Sequence, residues 1–334
     1  MYRHYEKSNM EKDLFEKYLK ECRFNDLDTD ITRPDFRFKI GGVDCVPRGE
    51  IVAVAGKPGV GKSTAMAIMA GVLVGGCDFG SMQCKIGCQR ILWIDTEKGA
   101  FSCMQRMKTL REISKIGMST DLHDSGIDFY RIRNLDTSIR LSFVSEVAKT
   151  NKYDAIFIDG IFDLTLDADK DYVPVIDLLK KLTDSGATVF AMLHTNKQAE
   201  DDNMRYALGT ELQRVCTNRF TIKCDKTKNC HNIIHEKSND TEIAPIVSFR
   251  FNDCGVAVPF IPEISTNAKI DSSKKDFETI LSGGVIMGYS ELVEKVKDIA
   301  KIKERGAKER IAKGMKRGYL VVDDKGNYYL NNGQ

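Results

Sequence analysis

Residues Gly56, Lys57, Pro58, Gly59, Val60, Gly61, Lys62, Ser63 and Thr64 carry the spacing G-x-x-x-x-G-K-[ST]. An apolar run, residues 50–55 (EIVAVA), leads into them, and a second, residues 65–74, leads out with a helical pattern. Strand, glycine-rich loop and helix in that order are what the wrapping of phosphate oxygens by backbone N–H groups requires. The glycines open the loop, and the first turn of the helix adds unpaired donors and favourable partial charge. Within this loop Lys62 is placed to reach the β- and γ-phosphates of a nucleoside triphosphate, and Ser63 to ligate Mg²⁺. The pattern therefore predicts ATP and Mg²⁺ as ligands.

Three further polar groups end apolar runs. Residues 153–160 (YDAIFIDG) read as a strand closed by Asp159, where a carboxylate orients Mg²⁺ through water; Asp154, ahead of the run, reads as a turn residue. Residues 90–97 (RILWIDTE) end in Asp-Thr-Glu. Hydrolysis needs a carboxylate to polarise the attacking water, and Glu97 is the candidate base, with Asp95 as the alternative. Residues 188–197 (TVFAMLHTNK) end in a polar run headed by His194; a lone histidine there would read as a strand cap, and the run of polar groups favours a sensor of the γ-phosphate. Ligands of open α/β sheets bind at the carboxyl ends of the strands, so Lys62, Glu97, Asp159 and His194 are expected at one edge.

The elements that would hold these groups follow from pattern. Strand-like runs at 51–55, 90–95, 128–131, 155–159 and 188–194 alternate with stretches long enough for crossover helices, which predicts an α/β fold with a mostly parallel sheet. Runs at 219–223 and 246–251 suggest an antiparallel extension of that sheet. Met10, Leu14, Phe15, Tyr18 and Leu19 make a helical stripe near the start of the chain. The domains expected are a helical segment at 1–33 that could dock on another subunit, an ATPase core at 34–264, a polar linker at 265–275 and a small unit at 276–334.

The ordered set of P-loop, DTE, IFIDG and LHTNK resembles the RecA-fold, hexameric helicase-type ATPases of the RepA and DnaB kind carried by plasmids and mobile elements. The likeness runs from about residue 34 to 259 and includes Leu208-Gly209-Thr210-Glu211-Leu212. It implies a RecA-like P-loop core, a ring-shaped homo-oligomer and single-stranded DNA as partner. It also implies phosphate and Mg²⁺ roles for Lys62 and Ser63, water activation by Glu97, a Walker B role for Asp159 and sensing by His194. Such rings supply a Lys-x-Arg from a hairpin of the neighbouring subunit. Here Lys237 is followed two residues on by Asn239, and the alternative register, Lys226 and Lys228, also lacks arginine; Arg219 is a further candidate. Segments 160–173 and 197–205, which follow the Asp159 and His194 strands, are the expected channel loops.

In the last unit, 276–281, 289–300 and 305–316 read as helices, followed by two short strands, a pattern that looks like a winged helix. Its third helix and exit carry Lys308, Arg310, Lys313, Lys316 and Arg317, which makes duplex DNA the partner expected there, against a merely solvated face. The net charge of +2 says little by itself. The ten cysteines are scattered, and Cys77, Cys84 and Cys88 fit no common zinc spacing, so the thiols read as small hydrophobes. No apolar run reaches the length of a membrane span or a secretory leader, so a cytoplasmic location is expected. The function expected is an ATP-hydrolysing, DNA-dependent ring motor of helicase type. The alternatives are an ATP-switched DNA-binding regulator, or partition or loading factor, that does not unwind, and a small-molecule kinase.

Overall fold

The computed structural model describes residues 12–23, 35–196, 204–261, 272–316, 319–323 and 326–330. The chain divides into two compact units, Met1–Ile261 and Pro262–Gln334.

The first unit opens with α1 (Lys12–Glu21), whose Leu14, Phe15, Tyr18 and Leu19 are exposed; Met10 lies outside the described residues. Next come β1 (Phe36–Ile40), β2 (Val43–Pro47), β3 (Ile51–Gly56), α2 (Lys62–Gly75), β4 (Met82–Cys84), β5 (Ile91–Asp95) and α3 (Ala100–Ser114). They are followed by β6 (Ile127–Arg131), α4 (Thr137–Val147), β7 (Ala155–Asp159), a 3₁₀ turn (Ile161–Leu164), α5 (Val173–Asp184), β8 (Thr188–His194) and α6 (Tyr206–Val215). The unit closes with β9 (Asn218–Asp225), β10 (Cys230–Ser238), β11 (Val247–Phe251) and β12 (Ala257–Pro259).

Among the described residues one large sheet runs β12-β11-β10-β9-β3-β8-β7-β5-β6. The strands from β9 to β6 are parallel, and β10, β11 and β12 extend the sheet antiparallel. The predicted parallel core is therefore present, while β10 and β12 are strands that the sequence pattern does not reveal. A separate small sheet runs β2-β1-β4.

The central strands are buried on both faces, and their side chains sort by the period of two. Val52 and Val54 join the core under α2 and α3, while Ile51, Ala53 and Ala55 join the core under α5 and α6. On the first face, register aligns Trp93, Phe157 and Phe190 across three strands, stacked at 5.5 and 4.5 Å between centroids. Each such ring pair adds roughly 0.5–1.5 kcal/mol beyond its burial. This ladder fixes the relative height of β5, β7 and β8, and so of the residues at their carboxyl ends.

The opposite edge is pinned by Arg37, which is fully buried. Its guanidinium donates to Thr188 Oγ1 (3.2 Å), Gly87 O (3.2 Å) and Asp154 O (2.6 Å). Asp154 in turn accepts from the N–H groups of Gln89 (2.8 Å) and Arg90 (3.3 Å), the turn role expected of it.

The second unit contains α7 (Ser272–Ile280), α8 (Tyr289–Ala300) and α9 (Glu304–Lys316). A small antiparallel sheet joins β13 (Met287–Gly288), β15 (Asn327–Leu330) and β14 (Leu320–Val322) in that order. Phe277, Leu292, Val296, Ile311 and Leu320 form its own core. Helix α7 starts at Ser272, inside the stretch read from sequence as linker. Among the described residues no helix is long and apolar enough to cross a membrane.

Candidate nucleotide site

β3 runs directly into the glycine loop, and α2 begins at Lys62 with Gly61 as its cap in left-handed backbone (φ 90°). A side chain on Gly61 would be strained by that φ and would press on His231 Nδ1 and Phe249 Cζ, each 3.2 Å from an added Cβ. The first N–H groups of α2 are left as donors toward the loop. Lys62, Ser63 and Thr64 are all buried at this end.

Strand register brings the distant polar groups to the same edge. Gly56 pairs with His194 across β3 and β8, and Asp95 pairs with Asp159 across β5 and β7. Lys62 Nζ donates to Lys57 O (2.8 Å) and to His194 Nδ1 (2.9 Å). An acceptor at Nδ1 leaves the imidazole proton on Nε2, which faces Glu97 Oε1 at 3.6 Å. The other carboxylate oxygen of Glu97 accepts from Lys98 Nζ at 3.0 Å. The result is a continuous row, Lys62, His194, Glu97, Lys98.

Asp95 and Glu97 part company here. Asp95 Oδ1 accepts the N–H of Glu97 (3.1 Å) and of Lys98 (2.7 Å), so it shapes the turn after β5. Glu97 extends into the cleft beside the P-loop, which is also lined by Lys62, Ser63 and His194. Gly160 leaves the room this needs: a Cβ there would lie 2.4 Å from Thr96 Oγ1 and 3.0 Å from Glu97 Oε1. Thr96 Oγ1 itself donates to Gly160 O at 2.8 Å, tying the end of β5 to the loop that leaves β7.

The electrostatics follow from these placements. Burial lowers Lys62 to about 8, against the attraction of Glu97 and Asp159. The His194 ring and the Lys98 ammonium hold the Glu97 carboxyl down at about 2, although burial works the other way. Asp159 is completely buried, and neither of its oxygens has a hydrogen-bond partner among the described residues. Burial first, and the Asp95 charge second, push it up to about 7; the nearby Ser63 hydroxyl acts in the opposite sense. A sealed carboxylate with two unpartnered oxygens next to a P-loop serine suits a divalent cation. Mg²⁺ takes few protein ligands and completes its shell with water and phosphate oxygens. Ser63 and Asp159 thus fit as the residues that would hold it, without a closed protein cage.

A profile of the family described as an AAA domain (AAA_25) matches residues 18–200, more than half of the chain. The chain belongs to the AAA-domain family. It accordingly carries a P-loop ATPase domain, with one strand, β8, between the P-loop strand and the strand that ends in Asp159. No curated protein sequence matches this AAA-domain chain. Solved structures similar to the chain include the following three. The KaiC-like protein PH0186 of Pyrococcus horikoshii OT3 has a TM-score of 0.48 at 15% identity, over 69% of this chain and 100% of that one. The flagellar accessory protein FlaH of Methanocaldococcus jannaschii has a TM-score of 0.47 at 15% identity, over 67% and 93%. The RadB recombinase has a TM-score of 0.46 at 13% identity, over 65% and 94%.

The remaining sequence candidates of this AAA-domain protein fall in different places. Lys237 Nζ donates to the carbonyls of Gln213 (2.9 Å) and Cys216 (2.5 Å), closing the end of α6. Arg219 donates to Gln213 Oε1 (3.2 Å) and pairs with Glu236 (3.3 Å). Both make these contacts within the chain. Lys226 and Lys228 instead sit exposed on the turn between β9 and β10.

On α9, Lys308 pairs with Glu304 (2.7 Å) and Arg310 with Asp276 of α7 (2.8 Å). Arg310 is largely covered, with its side chain 18% exposed, so it joins helix to helix rather than facing outward. Lys313 is exposed; the Lys316 side chain and Arg317 lie outside the described residues.

Of the expected channel loops, 160–173 is described, contains the 3₁₀ turn and leads into α5, whereas 197–203 lies outside the described residues. The base of that second loop is closed by a bridge between Thr195 and Met204, and Arg205 Nε donates to Thr195 O (2.7 Å).

Four residues of the cleft are not evident from sequence: Lys98, Arg106, His231 and Phe251. His231 Nδ1 donates to Val60 O in the P-loop (2.8 Å) and stacks on Phe249 at 5.0 Å. The adjacency of Lys98 to Glu97 is visible in sequence; the other three reach the cleft only through α3, β10 and β11.

Proposed function

We propose that the chain is an ATP-hydrolysing motor that acts on single-stranded DNA as a ring-forming homo-oligomer. The observation that carries the reading is the convergence of Lys62, Ser63, Asp159, Glu97 and His194 on one sheet edge, with exposed aromatic groups on the segments that leave β7 and β8 at that edge. Phe162 (37% exposed) follows Asp159, and Tyr206 (44% exposed) follows the His194 strand. Their rings lie 5.0 Å apart. Exposed rings on such loops are suited to stacking unpaired bases, which contributes about 1–3 kcal/mol per base.

In this reading the P-loop amides and Lys62 hold the triphosphate of ATP, and Arg106 and the His231–Phe251 wall bound the rest of the nucleotide. Ser63 and Asp159 would hold Mg²⁺, which when bound would supply positive charge beside the phosphates. Glu97 orients a water and accepts its proton as the water oxygen bonds to the γ-phosphorus. The bond from that phosphorus to the β,γ-bridging oxygen breaks, and its electron pair leaves with ADP. Glu97 is favoured over Asp95 because the Asp95 oxygen is occupied by two backbone donors. The Lys62–His194–Glu97 contacts let His194 register whether Lys62 has turned to phosphate, and Thr96 passes the state of this edge to the loop bearing Phe162. The second unit, read as a winged helix, adds duplex binding.

A second reading, an ATP-switched DNA-binding protein that does not unwind, is favoured by the internal commitment of Lys237 and Arg219. Two measurements separate the readings. ATP turnover with and without single-stranded DNA should rise with DNA, vanish in Lys62→Ala, and vanish with nucleotide binding retained in Glu97→Gln. Strand displacement on a forked duplex should accompany it; stimulated turnover with no displacement favours the switch. Unchanged turnover in Glu97→Gln removes Glu97 from the chemistry.

A further inference from the structure

A base that already accepts from an ammonium and faces an imidazole N–H is a poor proton acceptor, and Glu97 is in that position. Oε2 is 3.0 Å from the Lys98 ammonium, and Oε1 is 3.6 Å from the His194 Nε2. His194 is itself held at Nδ1 by Lys62, 2.9 Å away. The two lysines at the ends of this row are both on the wall of the cleft that contains the P-loop. An adjacent Glu–Lys pair on an open surface contributes almost nothing. This pair differs, because Lys98 is 34% and Glu97 21% exposed, and because the root of Lys98 is fixed by its N–H bond to Asp95 Oδ1 at 2.7 Å.

The other cations weighed for a phosphoryl group are placed elsewhere. Lys237 and Arg219 are spent on the end of α6 and on Glu236, and Lys226 and Lys228 lie on the hairpin turn. A terminal phosphate carries more negative charge than a carboxylate and competes for the same ammonium.

We infer that Lys98 is a phosphate-contacting residue that exchanges Glu97 for the γ-phosphate of ATP. The exchange does two things at once. It places positive charge on the oxygens of the phosphoryl group in transfer, and it releases the carboxylate to take the proton of the attacking water. Bond changes are those of ATP hydrolysis itself, with water as the acceptor and ADP as the leaving group. Glu97 is thereby held idle until a triphosphate, rather than a diphosphate, fills the loop. The inference rests on the proposed ATPase chemistry and adds a within-subunit source of transition-state charge to it.

The test uses the full chain and its Lys98→Met and Lys98→Arg variants. Steady-state ATP turnover is measured with Mg²⁺, together with affinity for ADP and for ADP with aluminium fluoride, which mimics the phosphoryl group in transfer. Lys98→Met should lose about 100-fold in kcat with little change in KM. Its ADP affinity should stay within about twofold, while its affinity for the fluoride complex falls about tenfold or more. Lys98→Arg should recover most of both losses, since it keeps the charge. Turnover of Lys98→Met within about threefold of wild type, or an equal loss of ADP and fluoride-complex affinity, overturns the inference. A wild-type chain that neither binds ADP nor hydrolyses ATP brings down the ATPase reading, and this inference with it. Normal wild-type turnover beside an unaffected Lys98→Met variant removes Lys98 alone.

Discussion

A carboxylate sealed from water without a hydrogen-bond partner costs a folded protein stability, and Asp159 is such a group among the described residues. Its position is held by the register of β7 with β5 and β8, so the cost is imposed by the sheet rather than by any local partner. Asp159→Asn removes the charge at nearly constant shape. It should raise the unfolding temperature at pH 8 by a few degrees, corresponding to about 1–2 kcal/mol, while abolishing Mg²⁺-dependent turnover. A calorimetric scan showing Asp159→Asn less stable than wild type in metal-free buffer would mean that the carboxylate is satisfied by its surroundings. At this scale the sequence is legible wherever the chemistry is contiguous. The P-loop lies within nine consecutive residues, 56–64, and strand ends point to Glu97, Asp159 and His194. What sequence hides is commitment: Asp95 and Glu97 are two residues apart, and only the N–H bonds to Asp95 separate turn-former from cleft-former. The same holds for Lys237, whose partners at the end of α6 are more than twenty residues away in sequence.

Among the elements, β10 explains the largest omission. Its buried positions, Cys230, Ile233 and His235, do not keep a strict alternation, and the register with β9 shifts between His235 and Lys237. A strand with a bulge and a half-polar sequence, CHNIIHEKS, does not show the period of two, so sequence gives His231 no place from which to reach Val60. The bulge is anchored by His235, 2% exposed. Its Nδ1 accepts the N–H of Ala244 (2.9 Å), which leaves Nε2 to donate to Asn218 Oδ1 (2.9 Å). Both nitrogens are used by the neutral ring, and burial holds the imidazole below its ordinary value of 6.5. Below that pH the unfolded chain binds a proton that the folded chain refuses, so this group subtracts stability as pH falls through about 6.5. Wild type should therefore lose unfolding temperature between pH 7.5 and 5.5 more steeply than His235→Gln. The variant should start lower, because it leaves the Ala244 N–H without its acceptor. Parallel slopes for the two proteins would show that His235 is not the group that titrates.

For the molecule as a whole, the two units have separate cores, and the proposed nucleotide chemistry belongs entirely to the first. Removing residues 272–334 should leave ATP turnover within about twofold and weaken binding to duplex DNA. The size of that weakening is set by how many cations α9 can give to phosphate. Lys308, Arg305 and Arg310 are paired with Glu304, Glu309 and Asp276, which leaves Lys313 as an exposed cation of α9 without such a pair among the described residues. A helix so neutralised can neutralise few phosphates, and each cation withdrawn from a phosphate flattens the slope of log affinity against log salt by about 0.9. The expectation is that Lys313→Glu in the full chain reduces the duplex salt slope by about one and leaves the single-strand slope unchanged. If the truncated chain binds duplex as tightly as the full chain at every salt concentration, α9 is not a DNA-facing helix. Its Arg310–Asp276 pair then serves only to join α9 to α7, and duplex binding must come from the first unit.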